Sequence, residues 1–108
     1  MAGDATGGWI APKASTDGAL TDSEVRAAPG AGKYLVVEQV IFSNEGTANS
    51  FLLEYDTTAV YGPVYLGANQ TFNSGLMPFP ITLAANKALT VTTTAADHSN
   101  TIVHGYTK

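Results

Sequence analysis

The run Tyr34-Leu35-Val36-Val37-Glu38-Gln39-Val40-Ile41-Phe42 constrains the fold more than any other stretch of the chain. It is rich in β-branched and aromatic residues, the side chains that suit a pleated surface, so it reads as a strand. Strict alternation puts Tyr34, Val36, Val40 and Phe42 on one face and Leu35, Val37 and Ile41 on the other. A strand that is apolar on both faces has to be covered on both, by a second layer of its own domain or by a partner. Glu38-Gln39 breaks the pattern in the middle and marks the place for a β-bulge.

Shorter pieces downstream repeat the signal. Residues 51–55 put Phe51, Leu53 and Tyr55 on one face. Residues 60–66 are interrupted by Gly62-Pro63, which assigns them to an edge or a kink. Residues 70–76 and 81–83 follow, separated by Met77-Pro78-Phe79-Pro80, whose fixed φ angles make an extended crossing segment. The cleanest alternation is Leu89, Val91 and Thr93 inward against Thr90, Thr92 and Thr94 outward. Residues 102–106 close the chain. Before the long run, Thr21-Asp22-Ser23-Glu24 matches a capping box and allows a short helix ending at Pro29. The rival is a strand over 20–27, preferred because Val25 alone gives a helix little to bury. Seven or eight short antiparallel strands at 8–12-residue spacing, with no convincing helix, predict an all-β chain. The expected architecture is a single compact β-sandwich, jelly-roll or immunoglobulin-like. Residues 1–18 hold little besides Trp9 and Ile10 to anchor them and read as an extended N-terminal arm, with the sandwich domain over 19–108.

Composition removes several kinds of function. The chain of 108 residues has no cysteine, which excludes disulfides, thiolate nucleophiles and thiolate metal sites together. Five Lys and Arg against nine Asp and Glu give a net charge of −4, a poor basis for binding nucleic acid or an anionic membrane. The first residues carry neither a basic stretch nor an apolar core, so no secretory signal is read there and synthesis in a cytoplasm is expected. Without such a route the sequon Asn69-Gln70-Thr71 carries little meaning. Charged residues make up only 13%, against roughly 25% in soluble domains generally. The shortage is sharpest over 72–94, where Lys87 is the one charged residue. Such a surface reads as one to be covered by partners.

The motifs for chemistry are weak. Pro29-Gly30-Ala31-Gly32-Lys33 lacks the spacing, the Ser or Thr, and the following helix of a phosphate-binding loop, so it reads as a turn. His98 lies in a polar loop and His104 on the last strand, with no cluster of ligands about either. Glu54 and Asp56 share a face and suggest a carboxylate pair for glycoside hydrolysis, but at a polar strand end they read as hydrated. No serine sits in a nucleophile elbow. The expectation is therefore no enzyme, no cofactor and no metal. More suggestive are Tyr55, Tyr61 and Tyr65 around one turn, with Tyr61 and Tyr65 on the same side of their strand. Exposed tyrosines stack on sugars or anchor protein interfaces. Thr90, Thr92 and Thr94 form an uncharged ladder, either plain surface or a flat contact face.

The C-terminal two thirds carry a recurring order of motifs. Gly32-Lys33-Tyr34-Leu35-Val36-Val37 is followed by Ser43-Asn44 with Gly46-Thr47-Ala48, and then by Tyr65-Leu66-Gly67-Ala68-Asn69. Ala88-Leu89-Thr90-Val91 and a terminal Gly105-Tyr106 complete it. This order resembles small head decoration (cement) proteins of tailed bacteriophages over residues 30–107. Residues 1–29 lie outside the resemblance, and residues 77–80 depart from it. The resemblance implies a structural virion protein, made in the host cytoplasm and carried on the capsid exterior. There it binds the major capsid protein and stabilises the head, as a homo-oligomer with a trimer favoured. Its candidate interface residues are Trp9, Ile10, Tyr34, Val36, Tyr61, Tyr65, Thr90, Thr92 and Thr94, with Trp9 as the arm's anchor. The alternative is a glycan- or receptor-binding sandwich module of a phage fibre or tail, motivated by the tyrosines.

Overall fold

In the computed structural model, which describes residues 8–15, 18–95 and 98–108, the β-rich segments pair across the whole length of the chain. Nine strands form among these residues. They are β1 (Gly8–Ser15), β2 (Ser23–Arg26), β3 (Leu35–Asn44), β4 (Asn49–Tyr55) and β5 (Thr58–Leu66), then β6 (Gln70–Asn73), β7 (Ile81–Thr82), β8 (Leu89–Thr93) and β9 (Ser99–Thr107). All pairings are antiparallel. One sheet runs β1-β9-β3-β6 with β7 also on β3, and the other runs β2-β8-β4-β5. The chain is an all-β sandwich. With the two-residue β7 set aside, the order is that of a jelly roll, two interleaved Greek keys.

The bulge expected at Glu38-Gln39 is present: β3 pairs Val37 with Gly105 and Gln39 with His104, so one residue is skipped. It corrects the reading of the faces. An extra residue reverses the alternation beyond it, so Leu35 and Val37 share the core with Val40 and Phe42. Val36 points to the opposite face between Tyr106 and Thr82, and it is covered as well, at 1% exposure. Phe42 stacks on Phe51 from the other sheet at 4.9 Å between ring centroids and on Phe72 at 6.3 Å, which joins the layers at the centre.

Segment 20–27 resolves as a strand. β2 pairs with β8, while Leu20 exchanges two bonds with Thr93: its N–H donates to Oγ1 and its carbonyl accepts from the amide N–H.

The arm over 1–18 is corrected in part. Residues 8–15 pair with β9 along their full length, from Gly8 opposite Tyr106 to Ser15 opposite Ser99, so the sandwich begins at Gly8. Trp9 and Ala11 enter the core. Trp9 lies directly opposite Gly105, and a Cβ there would stand 2.7 Å from two carbons of the indole ring. Glycine at 105 is what lets the ring lie flat across β9. The rest of the arm lies outside the described residues, except for Gly18.

Candidate functional site

The structure distributes the expected interface residues over three environments. Trp9 is buried at 8% exposure, with the Arg26 guanidinium 5.2 Å from its ring centroid. Trp9 and Val36 are therefore structural, closed to any partner of the folded chain. Ile10, one residue along β1, alternates outward and is 63% exposed, and Tyr34 stands at 38%.

Tyr61 and Tyr65 do not share a side. The β4–β5 register shifts on either side of Leu53, which places Leu53 opposite Tyr61 and Ser50 opposite Tyr65. The irregularity centres on Gly62, at φ +105°, where a Cβ would meet the Phe51 carbonyl oxygen at 2.6 Å. The Gly62–Pro63 peptide is cis. Tyr61 consequently turns inward onto Phe72, 6.1 Å between centroids, and Tyr55 also packs on the core. Tyr65 alone of the three stands out in solvent, at 77% exposure. It borders a shallow depression of about 530 Å³ with Asn49, Ser50, Leu66 and Thr94. The buried Asn49 carboxamide oxygen accepts from the amides of Thr94 and Ala95 and fixes this wall.

The threonine ladder is hydrogen-bonded along its length and half-buried at two of its three positions. Thr90 and Thr92 are half-buried, and Thr90 Oγ1 donates to the Glu54 carbonyl oxygen at 3.1 Å. Thr92 Oγ1 meets a Glu54 carboxylate oxygen and accepts from the Asp22 amide at 3.0 Å. Thr94 is exposed, with its hydroxyl 3.0 Å from that of Ser50. Glu54 itself is buried at 7%, against the expectation of a hydrated carboxylate, because β8 and its threonines close over that face. Asp56 is exposed and forms an ion pair with Lys87. The hydrogen bond from Lys87 to this carboxylate, and then its charge, raise the lysine above its ordinary value of 10.5. With one carboxylate buried against a threonine and the other neutralised by a lysine, the two have separate partners and separate surroundings.

His98 lies 3.8 Å from the exposed Glu45 carboxylate, and His104 is half-buried on β9 between Ile10 and Gln39. Among the described residues no three His, Cys, Asp or Glu side chains gather as metal ligands.

Two of the large exposed apolar side chains were not among those expected. Leu76 is 73% and Phe79 87% exposed, on the segment that carries Pro78 and Pro80. This segment is tied to the β3 bulge. The Ser74 amide donates to the Val40 carbonyl at 2.9 Å, the Val40 amide to Ser74 Oγ at 2.9 Å, and the Met77 amide to the Glu38 carbonyl at 2.8 Å. Met77 packs inward and Leu76 and Phe79 are left outside. The prolines were the available signal: an apolar residue between them has no strand alternation to direct it to the core.

A second depression, again about 530 Å³, runs between the outer edges of the two sheets, where β1 and β2 approach each other. Ile10, Ala11 and Pro12 line it from β1 and Val25 and Arg26 from β2, and Lys33 lines it as well. Compared with known families and with curated proteins, the chain matches no family model and no curated protein.

Proposed function

We propose that this protein is a capsid decoration (cement) protein that binds the major capsid protein on the outside of a tailed-bacteriophage head as a homo-oligomer, a trimer before other states. The observation that carries this reading is the set of large apolar side chains held out in solvent: Ile10, Tyr34, Tyr65, Leu76 and Phe79. Scattered apolar residues are ordinary on any surface, but here they stand on a chain with only 13% charged residues. Burying a leucine or phenylalanine at an interface is worth about 1.5–3 kcal/mol each. A loop already fixed by prolines and by bonds to β3 loses little freedom on docking. Oligomerisation would multiply modest contacts through effective concentration. The order of turn and strand motifs over 30–107 supports the same role, exerted on the virion exterior after synthesis in the host cytoplasm, without catalysis or a cofactor. The test is density-gradient fractionation of the phage lysate. The chain should band with intact heads at a fixed ratio to the major capsid protein, and recovery only in the unassembled fraction would refute the proposal.

Tyr65 favours a second reading, a glycan-binding module of a fibre or tail. Its exposed ring beside the Ser50 and Thr94 hydroxyls offers a stacking face and polar partners to a sugar. A glycan array should then show binding that Tyr65→Ala abolishes; a silent array would end this reading.

A further inference from the structure

The groove between β1 and β2 is lined by two cationic side chains, Arg26 and Lys33. Of the five Lys and Arg, Lys87 is paired with Asp56. The other four, Lys13, Arg26, Lys33 and Lys108, have no carboxylate partner among the described residues. Two of these, Arg26 and Lys33, line the groove. Among the described residues no Asp or Glu lines it. The nearest carboxylates along β2 look elsewhere: Asp22 bonds Thr92, and Glu24 pairs with Thr90 on the outer face of the second sheet. A protein of net charge −4 thus presents two cations in this groove and, among the described residues, no carboxylate to neutralise them, so it would attract an anionic group.

The remaining lining selects among anions. Ile10, Ala11, Pro12 and Val25, together with residues 27–29, give the groove apolar walls. A phosphate backbone would leave such walls uncovered and would meet the net negative charge of the rest of the molecule. An extended peptide fits better, because alternate side chains can lie on the walls while acidic ones reach the rim. The groove is also flanked by the terminal strand of each sheet, so no further strand among the described residues covers it. Pro12 interrupts the edge of β1 and lacks an N–H, so occupancy rests on side chains and charge more than on continued sheet pairing.

We propose that this groove is a docking site for an extended acidic segment of a partner protein, with apolar side chains seated between β1 and β2 and carboxylates met by Arg26 and Lys33. The inference rests on the reading that the chain binds another protein, and it locates the contact that Ile10 begins. Lys33 is the residue to change, since Arg26 also packs on Trp9 while the fold uses the backbone amide of Lys33, bonded to Gly30 at 3.1 Å.

Short linear peptides from a random display library, selected on the wild-type protein, are the probe. The recovered peptides should alternate apolar with Asp or Glu residues and shift the amide resonances of 9–11, 13, 25–28 and 33. They should bind Lys33→Glu about tenfold more weakly, at an unchanged melting temperature. Failure to recover peptides, a consensus without acidic residues, a footprint away from the groove, or indifference to Lys33→Glu would each overturn the proposal. So would single-stranded DNA occupying the same footprint with equal affinity. Because no capsid enters this experiment, the groove and the capsid reading can fail separately.

Discussion

Replacing Trp9 with alanine separates a structural strand from a docking arm. Trp9 is 8% exposed, lies in the core cluster, crosses Gly105 and carries Arg26 over its ring. Truncating a buried aromatic side chain to alanine costs about 3–5 kcal/mol, through lost burial and the cavity left behind. Loss of the Arg26 contact adds about 0.5–1 kcal/mol. Domains of this size have a total stability of about 5–15 kcal/mol, so the variant should keep a fraction of it. At roughly 4–6 °C per kcal/mol, Tm should fall by about 14–36 °C. Far-UV circular dichroism is the appropriate probe, because Trp9 is the sole tryptophan and the variant loses its fluorescence. Trp9→Phe sharpens the test. The indole Nε1 has no hydrogen-bond partner among the described groups, so phenylalanine forfeits packing but no hydrogen bond. It should lose about 1–2 kcal/mol, well under the alanine variant. A Trp9→Ala melt within two or three degrees of wild type would refute this account of β1 and restore residues 8–15 to a free arm.

Three further outcomes follow from local geometry. Thr57 closes the β4–β5 turn at φ +63°, a conformation unfavourable for a β-branched residue, so Thr57→Gly should raise stability by about 1 kcal/mol in urea titration; a lower midpoint would contradict this. Thr92→Val removes the hydroxyl that meets the buried Glu54 carboxylate and should cost about 1–3 kcal/mol, with Thr92→Ser recovering most of it. Lys87 is raised above 10.5 by Asp56, so its favourable contribution is complete below that pH and fades as pH climbs through the folded-state value. Stability measured from pH 9 to 12 should therefore decline less in Lys87→Met than in wild type, and parallel curves would show that the pair is not felt.

Much of the sandwich was legible in the sequence because its signals are local. β3, β4, β8 and β9 announce themselves by apolar alternation, and Glu38-Gln39 marks the bulge by interrupting it. What alternation cannot supply is the side of the sheet after an irregularity. One extra residue exchanged Val36 for Leu35 on the core face, and the shifts around Leu53 separated Tyr61 from Tyr65. β1 was obscured for a different reason. Its neighbours in sequence are glycine and alanine, and the strand that completes it lies some ninety residues away in β9. Glu54 read as a polar strand end because the threonines that cover it belong to β8. Proline-set backbone has no period from which to read the exposure of Phe79, and Leu76 lies beyond Asn73, where the strand expected over 70–76 already ends.

The capsid reading meets its most direct test in a binding measurement on heads stripped of the protein. Purified wild-type chain and a Leu76→Ser, Phe79→Ser double variant would each be added back and sedimented with the heads. Both side chains are more than 70% exposed, so the variant should melt at the wild-type temperature. The account predicts that wild type saturates the heads at a fixed copy number, while the variant binds at least about tenfold more weakly. Wild-type protein that stays in the supernatant, or a variant that binds as well as wild type, would contradict it.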